Sequence, residues 1–518
     1  MAARFVNVTE AVAAIRDQAT VASDGFSLIG VPEAVFAGIE TSYRATGHPR
    51  DLTLVSSAGQ SNGSVGFEHF AVKGLARRVV GSHWGLMPKM SAFLAEGSAE
   101  AVCLPQGPIT ALYRAIAAGQ PGVVSSIGLG TFVDPLLDGG KVNELAKRRA
   151  PDYVKRIELD GRDFLFYKTF PIDVGLIRAT SVDELGNCAQ EDEAATLDAL
   201  AIAQATHNSG GVVICQAKRR VPAGTLPPKQ VLVPGSVVDL VVLALDPEHD
   251  HRQTDSAVFD AIYLGNARNP LPHAPHPHDT TRMEIGRRAV RFLKPGDIVN
   301  IGTGIPGDVV GPALAEAGML DSVTLTVESG TYGGIPAGGG DFGVAAGPSA
   351  IISHAAQFDF YDGGGLDATF VGVGQVDRHG NVNVSRLGPR LIGCGGFIDL
   401  TQSAKRVYFC FIFASSHAKF VETVDHLTFS ADQALSRHQQ VYYITERAVF
   451  ELKQNGLHLI EVAPGFDPVG DVVNRLPFQV EVELLGHSRA SRSTPASAHT
   501  GHEDGRSDQE ISRSHRHR

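Results

Sequence analysis

Glu328 ends an apolar, strand-like run, Thr324-Leu-Thr-Val-Glu328, and opens a glycine-dense loop, Ser329-Gly330-Thr-Tyr-Gly333-Gly334-Ile-Pro336-Ala-Gly338-Gly339-Gly340. An acid at the end of a buried strand is uncommon, because most glutamates are solvated surface groups. Glycines around it let a substrate approach closely and supply backbone amides for a tetrahedral intermediate, so the pattern marks Glu328 as a functional carboxylate, with a solvated surface group as the alternative reading. With an ordinary pKa of about 4.3, such a glutamate is ionised at neutral pH and needs no partner base. A second segment, Gly302-Thr-Gly304-Ile-Pro306, follows a strand over 297–301 and precedes a helix. As a dinucleotide fingerprint it is weak, since Pro306 stands before the position that needs a third glycine. Its amides, near the positive end of a helix, suit an oxyanion, a phosphate or a pantetheine group; a turn needing positive φ is the alternative reading.

Two further glycine clusters follow, in 358–367 and in Arg390-Leu-Ile-Gly393-Cys394-Gly395-Gly396-Phe397. Cys394 reads as a small packed residue, because no base is identifiable to make it a thiolate nucleophile. The histidines of Asn269-Pro-Leu-Pro-His-Ala-Pro-His-Pro-His278 lack carboxylate or cysteine company, and the prolines hold them extended, so no metal site is expected there.

The elements that must carry these residues recur within the chain. Ala19 to Pro32, a helical stretch and Asp51 to Gly59 are echoed by Gly296 to Pro306, a helical stretch and Ser322 to Gly330, which sets Glu328 opposite Ser57. Downstream, Asp183-Glu-Leu-Gly-Asn187 matches Asp377-Arg-His-Gly-Asn381 as a turn signature. The offset is smaller there, so the first half carries an insertion that holds Pro105-Gln-Gly107 and Gly128-Leu-Gly-Thr-Phe132. Apolar β-branched runs such as Gly211 to Cys215 and Val238 to Ala244 alternate with helix-like stretches such as Asp192 to His207. The expected fold class is α/β: two homologous open domains with largely parallel sheets, each covered by helices. Ligand sites of such sheets lie at the carboxyl ends of strands, which places 302–306 and 328–330 on one active edge. The expected division is residues 1–268, a Pro/His-rich linker 269–280, a second half 281–486, and a tail 487–518 too poor in apolar residues to order itself.

With 518 residues, 43% hydrophobic and 19% charged, the chain can bury more than one core. A formal charge of -11 disfavours nucleic acid as a partner, because phosphate binding draws on Lys and Arg. Five cysteines with no CxxC pair fit a reducing compartment, so a cytoplasmic location is expected. The start lacks a basic n-region with an apolar h-region, and no apolar run approaches bilayer length, so neither a signal peptide nor a membrane association is expected.

These motifs, with Gly30-Val-Pro32-Glu33, Leu104-Pro-Gln-Gly107, Gly139-Gly-Lys-Val-Asn143, Gly380 to Ser385 and Gly456 to Gly465, span about Arg4 to Asp467. Over that length the chain resembles the class I CoA-transferases, and most of all the acetate or propionate CoA-transferase branch with fused halves. The resemblance implies that Glu328 is the nucleophile, and that Gly302, Gly304, Gly395 and Gly396 lie around CoA and the oxyanion. It implies exchange between acyl-CoA and short-chain carboxylic acids through a glutamyl-CoA thioester, with CoA as substrate, no cofactor, no metal, and a homo-oligomer. An acyl-CoA hydrolase and a non-catalytic acyl-CoA-binding protein are the alternatives. One departure is the stretch after Phe413, shorter than the family's usual hairpin.

Overall fold

The computed structural model describes residues 3–267, 279–413 and 418–484. In the first half, strands β1 (Arg4–Val6), β2 (Thr20–Ser23), β3 (Leu52–Ser56), β4 (Ala76–Gly81), β5 (Glu100–Cys103), β6 (Val174–Asp183), β7 (Val212–Val221) and β8 (Leu240–Leu243) form a sheet in the order β1-β8-β7-β6-β2-β3-β4-β5. Every neighbouring pair on this path is parallel. Strands β3, β5 and β6 are buried along their whole length, as expected where helices cover both faces of a parallel sheet.

The second half repeats the centre of that sheet. Strands β9 (Ile298–Ile301), β10 (Thr324–Val327), β11 (Ala368–Val371), β12 (Arg406–Cys410) and β13 (Gln440–Ile444) run in the order β13-β12-β11-β9-β10, again parallel. This matches β8-β7-β6-β2-β3 strand for strand. The halves differ at the edges. Beyond β3 the first sheet continues in parallel through β4 and β5, whereas beyond β10 the second turns back antiparallel through Thr331–Tyr332 and Ala350–Ile351. The insertion foreseen in the first half supplies β4, β5, helix α1 (Gln106–Ala117) and a small antiparallel sheet of Gly122–Ser125, Val154–Leu159 and Arg162–Lys168.

The duplication reaches individual hydrogen bonds. Asp183 Oδ1 accepts from the amides of Leu185 and Asn187, and its Oδ2 from Asn187 Nδ2; Asp377 does the same with His379 and Asn381. Each turn then spends its asparagine Oδ1 on a downstream amide, of Gly235 and of Ala431.

A helix α2 runs over Ala199–Asn208, not from Asp192 as the residue pattern indicates. The preceding residues are drawn out of a helix by polar duties: Glu193 bonds the buried Arg178 and His251, and Asp198 accepts from Ser57 Oγ and His354. Arg178 and Glu193 are both only 2% exposed along their side chains, and the arginine holds the Glu193 carboxyl down to about 2 despite its burial. Removing one partner of such a pair strands a buried charge. Arg178→Met is therefore expected to cost about 3–5 kcal/mol, read as a shift in the urea midpoint at unchanged m-value.

An apolar cluster of Phe26, Ile29, Ala58 and Leu197 with Phe342 and Val344 joins the halves. The stretch 269–278 and the tail from 487 lie outside the described residues, as do 414–417, where the departure near Ala414 was expected. The chain re-enters with Asp279, whose carboxylate caps a helix beginning at Thr280.

Candidate active site

Strands β9 and β10 are parallel neighbours, so their carboxyl ends lie side by side. From β9 the chain passes through Gly302 and Thr303 into helix α3 (Ile305–Glu316), for which Gly304, at φ +80°, is the N-cap. From β10 it passes into Glu328 and a turn closed by the Gly330 amide on the Val327 carbonyl. Gly330 sits at φ +110°, and a Cβ there would stand 2.1 Å from the Ile352 carbonyl oxygen, so only glycine fits the turn that presents Glu328.

A cavity of about 200 Å³ opens at these strand ends and is walled by both halves. Its apolar wall comes from Phe26, Leu86, Phe342, Val384 and Ile392, and its polar side chains are Ser27, His83, Gln106, Thr303, Glu328 and Cys394. Of the glycines expected around the site, Gly302, Gly395 and Gly396 line the cavity and Gly304 does not.

Glu328 is 7% exposed, and its carboxylate accepts no hydrogen bond from any described residue. Burial alone pushes its pKa up from 4.5 to about 7. This corrects the expectation of an ordinary, fully ionised carboxylate: in the free enzyme it is half protonated near neutrality. A Cβ on Gly396 would lie 2.9 Å from Glu328 Oε2, so the carboxyl rests directly against this glycine.

Two of the four glycines have their amides engaged within the fold. The Gly302 amide is donated to the Phe370 carbonyl at 2.8 Å and the Gly395 amide to the Ser82 carbonyl at 2.9 Å, so neither N–H is free for substrate. The amide of Gly396, the N-cap residue of helix α4 (Phe397–Ser403), makes no hydrogen bond to another described residue.

Cys394 packs against Cys103, their sulfurs 3.7 Å apart, and burial pushes its thiol well above the usual range. Held protonated, it is a packing residue. Cys394→Ala is expected to retain activity within a few-fold in steady-state assays.

Sequence reasoning missed His83, Gln106 and His354. His83 is half-buried, and its ring is flanked by Gly59 and Gly85. Burial, with the Arg390 charge nearby, lowers its pKa to about 4 and keeps it neutral. Gln106 sits inside the Pro105-Gln-Gly107 motif, and its amide nitrogen lies 2.7 Å from His354 Nε2. Ser57, the counterpart of Glu328 in the duplication, donates to Asp198 Oδ2, which also meets His354 Nδ1. Behind Gln106, burial pushes Asp362 and Asp399 well above the usual carboxyl range, Asp399 further by its proximity to Asp362.

Among the described residues no helix is long and apolar enough to cross a membrane, and no cluster of three His, Cys, Asp or Glu side chains is placed to hold a metal. The sequence model of the coenzyme A transferase family matches residues 5–244. Caffeate CoA-transferase of Acetobacterium woodii is 38% identical over 92% of this chain and 94% of its own length. Acetate CoA-transferase YdiF of Escherichia coli K12 is 37% identical over 91% and 92%. The crystal structure of the YdiF acyl-CoA transferase apoenzyme from E. coli O157:H7 superposes with a TM-score of 0.86 at 36% identity, over 94% of this chain and 95% of that one. A second structure of that enzyme, a thioester complex with CoA, superposes at 0.85 with the same coverage and 35% identity. An unpaired glutamate at the strand edge of a doubled parallel α/β fold, with likeness at this level over nearly the whole length, makes the chain a member of the coenzyme A transferase family.

Proposed function

We propose that this enzyme moves CoA from a short-chain acyl-CoA to a free carboxylate of the acetate or propionate type, by a ping-pong route through a γ-glutamyl-CoA thioester on Glu328. The observation that carries the reading is the Glu328 carboxyl, buried without a partner against Gly396 in a cavity shared by both halves. Attack of its oxygen on the acyl-CoA carbonyl expels CoA thiolate and leaves an acyl-glutamyl anhydride. The thiolate returns to the glutamyl carbonyl, and the first acid leaves as a carboxylate. The acceptor carboxylate then repeats the steps in reverse.

One thioester replaces another, so the exchange calls for no ATP, metal or redox cofactor; CoA is substrate only. The free Gly396 amide is the candidate donor to the tetrahedral oxyanion, with Gly302 and Gly395 shaping the wall. Enclosure by both halves keeps water from the anhydride and thioester. Partners are acyl-CoA and carboxylic acids, and the enzyme is read as a cytoplasmic homo-oligomer, in keeping with five buried free thiols.

Enzyme incubated with acyl-CoA and no acceptor is expected to gain the mass of CoA on the peptide containing Glu328. Borohydride then inactivates it, and acetate added first protects it. An adduct on another residue, or sequential kinetics, overturns the mechanism, and CoA release indifferent to acceptor identifies a hydrolase instead.

The attacking form is the carboxylate, and burial raises its pKa to about 7, so the ionised fraction grows tenfold per pH unit below that value and levels off above it. The rate of adduct formation from low acyl-CoA concentrations is expected to rise with pH between 5 and 7 and to flatten by 8.

A further inference from the structure

The polar network behind the cavity fixes which end of the Gln106 amide faces substrate. Asp198 Oδ2 accepts from Ser57 Oγ at 2.7 Å and lies 2.8 Å from His354 Nδ1. A carboxylate oxygen accepts, so the ring proton on Nδ1 points at Asp198, and the Gln106 amide nitrogen, which only donates, is received by the bare Nε2. The Gln106 atom 2.7 Å from that Nε2 must be its NH₂ group. All four side chains are buried, at 2% exposure or less. The His354 ring packs edge-on against Phe26 and Phe358, at 5.9 and 5.3 Å between centroids.

The carbonyl oxygen of Gln106 is therefore the end left for the cavity. It accepts from no described residue and lies 3.8 Å from where a Cβ on Gly395 would stand, one residue from the glycine that touches Glu328. What it recognises follows by elimination, on the reading that CoA exchange takes place here. An unsubstituted carboxylate, a thioester carbonyl and a thiolate bring acceptors only. The nearest donor to the reacting carbon is the amide N–H of the cysteamine unit, two carbons from the sulfur. We infer that His354, oriented by Asp198, is a positioning residue that turns the Gln106 carbonyl into the cavity, where it accepts the cysteamine N–H of CoA.

The test compares two small donors, S-acetyl-N-acetylcysteamine and the analogue in which an ester oxygen replaces that N–H, each corrected for its uncatalysed reaction with hydroxylamine. With acetate-type acceptors the enzyme is expected to favour the amide by about tenfold in kcat/KM, the scale of one hydrogen bond formed or left unmade. In His354→Phe, which keeps an aromatic ring between Phe26 and Phe358, and in Gln106→Met, that ratio is expected to fall to near one. A change confined to stability would lower both donors alike and leave the ratio intact. A ratio near one in the unaltered enzyme, or a tenfold preference surviving in both variants, overturns the inference while leaving CoA transfer standing. Absence of transfer from either donor and from acetyl-CoA overturns both. Should His354→Phe fail to fold, Gln106→Met and the unaltered enzyme still decide the matter.

Discussion

Glu328→Gln is expected to lose at least about a thousandfold in turnover, to form no CoA adduct, and to melt at a higher temperature than the unaltered enzyme at pH 8. On the proposed mechanism the first two effects follow from removing the nucleophile while keeping its shape, so CoA binding should survive. The third follows from burial. The carboxyl titrates near 7 in the fold against a usual value of 4.5, with desolvation as the cause. For an acid whose folded pKa is raised, the native state holds its proton more tightly than the unfolded chain, so stability falls as pH rises from about 4.5 to about 7. Above that window the native state carries the whole cost of an unpaired buried charge, at most about 3 kcal/mol on the scale of 1.36 kcal/mol per pH unit. The neutral amide escapes it. The stability difference between the two proteins should therefore be large at pH 8 and vanish by pH 4. Equal melting temperatures at both pH values would show that the carboxyl is solvated and not poised near neutrality. On the proposed mechanism an uncompensated acid has a use, since a carboxylate stripped of donors is the stronger nucleophile.

The doubled parallel sheet was legible in the residues because each half writes the same signals twice. A strand, a glycine turn and a helix recur, and the Asp183 and Asp377 turns carry identical side-chain roles at identical spacing. Glu328 was legible because a charged residue between an apolar strand and repeated glycines breaks a local rule. Its protonation was not, since desolvation depends on packing against Gly396, far along the chain. Nor could the sequence show that the Gly302 and Gly395 amides are spent on Phe370 and Ser82, because amide direction is a property of the folded backbone. Gln106, His354 and Asp198 carry no spacing signal at all. They meet from segments 248 and 156 residues apart, and each alone reads as an ordinary polar residue at a helix start. The common physical reason is that strand edges are written locally, whereas everything the two halves do to each other is not.

Gly396→Ala is expected to slow adduct formation by about a hundredfold while leaving the fold intact, and the contrast with Gly395→Ala shows why. Gly396 has φ -83° and ψ 1°, on the negative-φ side open to L-residues, so alanine escapes the left-handed penalty there. Its methyl would lie 2.9 Å from Glu328 Oε2, 3.0 Å from Cδ and 3.1 Å from Phe358 Cζ. The closest of these is the end of a movable side chain, so the carboxyl yields and the fold does not. A nucleophile displaced by about 1 Å from its line of attack loses on the order of a hundredfold. Gly395 presents the opposite case: φ +53° makes alanine costly by about 1 kcal/mol, but its methyl would meet nothing nearer than 3.8 Å. Gly395→Ala should therefore lower the melting temperature and spare the rate of adduct formation, while Gly396→Ala should do the reverse. Rapid-quench measurement of the Glu328 adduct beside thermal melts of both variants separates the two effects. Equal losses of rate would mean that the whole glycine loop, rather than the one contact with Glu328, sets the position of the carboxyl.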